Sequence, residues 1–133
     1  MLIDTPYGKI ETIPEADDIF KIVPQSEPEV KELIKKGALI AYMRYGCVKC
    51  DATIKKLKLG NLDKLLRIAR ERKVALVYLD CYAIQFYGFA DFMMIDDIST
   101  LAFYKDGKEV ARRDRFPSSD DLADLIEQHF PIQ

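Results

Sequence analysis

The chain has 133 residues, of which 49% are apolar and 32% charged, enough for one domain with its own core and too few for two. A net charge of -2 gives no global reason to expect nucleic acid or an anionic membrane as partner. No stretch approaches the ~20 apolar residues that span a bilayer, so membrane insertion is not expected, and composition leaves the oligomeric state open.

Residues 1–19 carry Pro6, Gly8 and Pro14 with short apolar alternation around Lys9–Ile13, and read as an N-terminal extension able to form a small hairpin. Residues 20–133 read as the domain proper. Phe20–Val23 is a short β-rich run closed by Pro24. Ser26-Glu27-Pro28-Glu29 opens a helix: Ser26 can cap it, Glu29 stands where a capping box places an acid, and Pro28 lies in the first turn, where no N–H is needed. Gly37 ends that helix. Ala38–Met43 is a continuous apolar run, the pattern of a central strand covered on both faces. A helix from about Cys47 to Leu57 follows, broken near Gly60 and resumed with Leu62, Leu65, Leu66 and Ala69 on one face. Val74–Leu79 is a second apolar strand, and Tyr82–Phe92 is aromatic-rich and ambiguous between helix and loop. Thr100–Tyr104 and Glu109–Arg112 flank Lys105-Asp106-Gly107-Lys108, whose Asp-Gly core signals a hairpin. Ser118 caps a final helix that buries Leu122, Leu125, Ile126 and Phe130. Early βαβ alternation followed by a hairpin predicts an α/β protein with a mixed sheet and helices on both faces.

Cys47-Val48-Lys49-Cys50 falls where a buried strand passes into a helix. The first N–H groups of a helix are unpaired and its dipole favours negative charge, so a thiolate at Cys47 is stabilised there, with Lys49 and Arg44 adding positive charge. Cys50, one turn on, can reach Cys47 and close an intramolecular disulfide. Three cysteines with two close together do not make a disulfide scaffold; in a chain read as cytoplasmic they point to redox chemistry or metal binding. The cytoplasmic reading rests on the N-terminus MLIDTPYGKIETIPEADD, which lacks a basic start followed by an apolar run. Structural zinc wants four ligands, and only Cys81 and His129 stand beyond the pair, so no metal and no cofactor is expected. Cys81 reads as a buried packing residue at a strand end, and His129 as a last-turn helix residue near free carbonyls.

With LIAYMR as the strand, CVKC at the following helix and IDDISTLAFYKDGKEV downstream, residues from about Phe20 to Phe130 resemble the thioredoxin-like superfamily. The resemblance implies the thioredoxin-like fold, Cys47 as nucleophile and Cys50 as resolving thiol, with Tyr45, Gly46, Ile98 and Ser99 facing substrate. Three positions depart from the family. The Trp before the nucleophile is replaced, with Tyr45 as partial substitute; the buried acid six residues before the first cysteine is Ala41, leaving Asp80 and Asp97 as candidate surrogate bases; and the family's cis-proline is Ser99. A cis bond before a non-proline residue costs about 2.5–4 kcal/mol, so the Ile98–Ser99 peptide is expected to be trans, with Ile95–Thr100 reshaped and Asp96 and Asp97 forming an acidic rim that favours basic partner segments. Restoring proline at Ser99 is expected to raise exchange on generic disulfides. The leading functional reading is a thiol–disulfide oxidoreductase acting on a particular protein partner, with Cys47 partly exposed and Cys50 more buried. A non-enzymatic adaptor that keeps the fold, and a dimeric metal or iron–sulfur protein bridged by two CxxC pairs, are the alternatives.

Overall fold

The structure is a computed structural model that describes residues 2–5, 8–11 and 19–132, with side chains from residue 19 onward. Within the N-terminal extension, β1 (Leu2–Thr5) and β2 (Gly8–Glu11) pair antiparallel; the rest of the alternating segment, at 12 and 13, lies outside the described residues. The domain then runs α1 (Glu27–Lys36), β3 (Ala38–Met43), α2 (Val48–Leu59), α3 (Leu62–Glu71), β4 (Ala75–Asp80), a 3-10 turn (Ile84–Phe86), α4 (Phe89–Phe92), β5 (Thr100–Lys105), β6 (Lys108–Arg113) and α5 (Ser119–His129).

The sheet order is β4-β3-β5-β6, with β3 parallel to β4 and antiparallel to β5. Every residue of β3 is buried, as its unbroken apolar run requires of a strand covered on both faces. Alternate residues serve opposite cores. Leu39, Ala41 and Met43 join Tyr78, Leu101 and Phe103 under α2, α3 and α5, and this core holds Cys47 and Cys50. Ala38, Ile40 and Tyr42 join Val77, Leu79, Ala102 and Tyr104 under α1 and the 84–95 segment, and this core holds Cys81. Each large side chain so buried contributes roughly 1.5–3 kcal/mol, which fixes the register of β3.

Local chemistry sets the element ends. Ser26 accepts the Glu29 N–H at 3.4 Å while Glu29 reaches back to the Gln25 N–H at 2.9 Å. Asp106 and Gly107 both have positive φ (54° and 84°), the backbone of a two-residue hairpin turn between β5 and β6. Two segments differ from expectation. Phe20–Val23 does not form a strand; it touches the sheet through one parallel bridge, Ile22 with Val77, because Pro24 cannot extend the ladder while Phe20 is drawn fully into the core. Tyr82–Phe92 divides into the 3-10 turn and the short α4, separated at Gly88, whose φ of 81° interrupts any continuous helix.

Candidate active site

After β3, Arg44, Tyr45 and Gly46 turn the chain into α2, and Gly46 takes the left-handed φ of 78° that a side chain would resist. Cys47 is the N-cap of α2. Its Sγ takes the role usually given to a serine oxygen, accepting the Cys50 main-chain N–H at 3.1 Å. The Arg44 guanidinium stacks over the Tyr82 ring at 4.9 Å and interacts electrostatically with Cys47. A main-chain donor and a nearby guanidinium therefore act on Cys47.

Cys50 is fully buried. Burial pushes its thiol up, the hydrogen bond with Cys47 adds to that, and a main-chain hydrogen bond from Arg44 pulls in the opposite direction. Cys47 is only 6% exposed, against the expectation of a partly open sulfur. Tyr45 and Ile98 pack against the core cluster that contains both cysteines.

Of the expected charge modulators, Arg44 acts on Cys47, and Lys49, Asp80 and Asp97 make contacts of their own. Lys49 forms an ion pair with Asp97, so its charge is bound to the facing loop. Asp80 is buried, with its carboxyl raised by loss of water, and it accepts the Tyr82 N–H at 3.0 Å. Neither Asp80 nor Asp97 is among the main groups acting on Cys50; the carboxylate that is belongs to Asp51, in the first turn of α2, and it pushes the thiol further up. Ala41 has Tyr78 as its register partner on β4. Tyr78 stacks on Tyr45 with ring centroids 5.0 Å apart, and its buried hydroxyl has no hydrogen-bond partner.

The loop opposite the dithiol is locked from behind. No cis peptide bond occurs among the described residues, so Ile98–Ser99 is trans, as expected, and Ser99 has a φ of 75°. The Ser99 N–H donates to the Tyr42 carbonyl at 2.7 Å, and its Oγ lies 2.6 Å from Thr53 Oγ1. Thr53 gives its one hydroxyl proton to the Lys49 carbonyl at 3.0 Å, so Ser99 is the donor to Thr53. Ser99 is 1% exposed and points inward, whereas Gly46 is exposed and Tyr45 and Ile98 are half-buried at the surface. Thr53 and Tyr78 escaped sequence reasoning, since a threonine on a helix and a tyrosine in a strand carry no local signal of what they face. Asp51 had one: it directly follows Cys50.

Cys81 is buried, its thiol pushed up to about 12 by burial with Asp80 adding to it. His129 lies in the last turn of α5. Among the described residues no group of three or more His, Cys, Asp or Glu is placed to hold a metal ion.

Solved structures share this architecture. A point-mutant thioredoxin from Halobacterium salinarum NRC-1 superposes with a TM-score of 0.64 over 84% of this chain and 92% of its own, at 18% identity. The fold is thioredoxin-like. Thioredoxin O2 of Arabidopsis thaliana matches with a TM-score of 0.60 over 83% and 94% of the two chains at 16% identity, and Fasciola hepatica thioredoxin with 0.58 over 81% and 98% at 21%. No protein-family model and no curated protein sequence matches the chain. In this thioredoxin-like frame the dithiol lies at the end of the central strand β3, and the trans loop at Ser99 faces it.

Proposed function

We propose that the protein is a thiol–disulfide oxidoreductase that acts on a particular protein partner through Cys47 and Cys50. The observation that carries this reading is the position of Cys47 Sγ at the N-cap of α2, where it accepts the Cys50 N–H at 3.1 Å with the Arg44 guanidinium acting on it electrostatically. An anionic sulfur is what such donors serve, and the thiolate is the attacking species. Cys50, buried with its thiol pushed up, is suited to wait as the neutral second thiol.

In the reducing direction, the Cys47 thiolate attacks one sulfur of the partner disulfide. A Cys47–partner bond forms as the partner S–S bond breaks, and the departing partner sulfur takes a proton. Cys50 then loses its proton and attacks Cys47 Sγ. The Cys47–Cys50 bond forms, the mixed disulfide breaks, and the second partner sulfur is released and protonated. Two electrons pass to the partner, and the reverse sequence oxidises it. Tyr45, Gly46 and Ile98 border the sulfurs and contact the partner; Ser99 supports the loop from behind. Because Cys47 is only 6% exposed, the partner must displace part of its surroundings to reach it, which favours a specific partner over arbitrary disulfides. The cytoplasm is the proposed setting, as a compartment that keeps such dithiols reduced. No helix among the described residues is long and apolar enough to cross a membrane.

The test is trapping. Cys50→Ser protein with Cys47 free should accumulate a covalent adduct with one or a few proteins in cell extract, reversible by dithiothreitol, and Cys47→Ser should capture none. Equal capture by both variants, or a native dithiol that no redox buffer oxidises, would refute the reading. Reduction of insulin-type generic disulfides should be weak.

A further inference from the structure

An open groove of about 380 Å³ lies beside the dithiol, between the turn after β4, the α4 region and the loop leading to β5. Tyr82, Tyr87, Ala90, Asp91, Asp96 and Ile98 line it. Two of these tie it to the redox site. Ile98 also packs against the core cluster that contains Cys47 and Cys50, and the Tyr82 ring lies under the guanidinium of Arg44, three residues before Cys47. A chain segment whose cysteine reached Cys47 would have its neighbouring residues at the mouth of this groove.

The lining is apolar in the middle and acidic at its rim. Asp91 and Asp96 are exposed, Tyr87 is 82% exposed, and the described lining contains no lysine or arginine. The cations nearby are already engaged. Arg112 holds both Glu109 oxygens, at 3.0 and 2.6 Å, and the Met94 carbonyl at 2.9 Å, with Asp96 acting on it through space. Lys49 is paired with Asp97, Lys31 lies 5.8 Å from the centroid of the Phe92 ring, and the Arg44 guanidinium lies 4.9 Å over the Tyr82 ring. An acidic segment would meet two carboxylates here. A cationic side chain would meet those carboxylates and the face of Tyr87.

We propose that this groove receives the segment flanking the partner's reactive cysteine, and that the segment carries a lysine or arginine next to an aliphatic residue. The proposal rests on the oxidoreductase reading and names the partner's chemistry. The aliphatic side chain packs on Ala90 and Ile98 while the cation sits between Asp91, Asp96 and Tyr87.

Two short synthetic peptides share an isoleucine and a serine in place of the reactive cysteine, one with flanking arginines and the other with flanking glutamates. Each is titrated by NMR into Cys47→Ser/Cys50→Ser protein, so that binding is read without chemistry. At low salt the arginine peptide should bind about tenfold tighter, with shifts at Tyr82, Ala90 and Ile98. Raising the salt should shrink that preference, and adding Asp91→Asn and Asp96→Asn should reduce it about three- to tenfold. Equal binding of the two peptides, or shifts confined to another face, overturns the proposal. A second arm uses native protein with the cysteine-containing forms of these peptides as mixed disulfides and a small uncharged disulfide as control. Turnover with no charge preference sinks the groove and leaves the oxidoreductase reading standing. Arginine-peptide binding in the groove with no turnover of any disulfide does the reverse.

Discussion

Strands β3 and β4 run parallel and in register to their last residues, Met43 opposite Asp80, and each leads to a cysteine at the same end of the sheet. From β3 a short turn with a left-handed glycine delivers Cys47 to the N-cap of the 12-residue α2. From β4 the chain continues straight into Cys81, whose N–H prolongs the ladder to the Met43 carbonyl at 2.8 Å, and then enters a turn and a 3-10 segment. Accessibility does not separate the two: Cys81 is 9% exposed and Cys47 6%. Donors do. Cys47 Sγ accepts the Cys50 N–H at a helix N-terminus with Arg44 acting on it electrostatically, whereas the hydrogen-bonding contact of Cys81 Sγ among the described residues is the Leu79 carbonyl at 3.9 Å, too long to matter. On the proposed function, the helix that follows a thiol is what separates a redox group from a packing residue here.

The largest effect expected from this contrast is in exchange activity. Cys47→Ser should reduce disulfide exchange to background, Cys50→Ser should stop it at the mixed disulfide, and Cys81→Ser should change the rate less than about twofold. Loss of activity in Cys81→Ser comparable to that in Cys47→Ser would break the comparison.

The next concerns the loop over the active thiol. Proline fixes φ near −65° and has no N–H, while Ser99 has a φ of 75° and gives its N–H to Tyr42. Ser99→Pro should therefore destabilise the protein by about 3 kcal/mol or more in urea titration. The gain in generic exchange expected from the family resemblance gives way to that loss, because this trans loop has no proline-shaped conformation to restore.

A third test reads burial at Cys81 through pH. Its thiol titrates near 12 in the folded state, against an ordinary value near 9, so the unfolded chain loses this proton first. Cys81 then contributes a fall in stability of roughly 1.4 kcal/mol per pH unit between those two values and none below them. The stability difference between native protein and Cys81→Ser should be flat below pH 9 and slope above it; a flat difference to pH 11 would show that the thiol is not desolvated.

Smaller effects separate two kinds of buried tyrosine. Tyr42 and Tyr104 share a hydroxyl–hydroxyl hydrogen bond of 2.7 Å in the Cys81 core, so Tyr42→Phe should cost about 1–3 kcal/mol by orphaning Tyr104. The Tyr78 hydroxyl, in the core of the redox pair, is already without a partner, so Tyr78→Phe should be neutral or stabilise by up to about 1 kcal/mol. Thermal melts of the two variants, side by side, decide it.

The parts of this molecule that could be read in advance are those written in contiguous residues. The unbroken run Ala38–Met43 determined a two-faced central strand, Asp106-Gly107 a tight hairpin, and Ser26, Gly37 and Ser118 the helix ends. The trans peptide at Ser99 followed from the energetics of a non-proline bond. What could not be read depends on side chains that meet only after folding. The Ser99–Thr53 hydroxyl pair joins residues 46 positions apart, and the Lys49–Asp97 ion pair joins residues 48 apart. Tyr45 and Ile98, which pack on the core that holds Cys47, likewise come from separate segments. Phe20–Val23 shows the complementary failure. Its β propensity is real, but burial of Phe20 and the stop at Pro24 leave one bridging residue.

That residue bears on how the sheet ends. Along β6, the free edge carries Lys108, Glu109, Arg112 and Arg113, charges that discourage a foreign strand from pairing. The outer edge of β4 has no such guard in Ala75–Leu79, and among the described residues it is met by Ile22, through an N–H to the Leu76 carbonyl at 3.3 Å and a carbonyl accepting the Tyr78 N–H at 2.9 Å. Ile22 acts as a stopper for an otherwise adhesive border. Peeling it away would bare an apolar strand edge to a second molecule, so the weakest-looking piece of β structure in the chain is also its protection against aggregation.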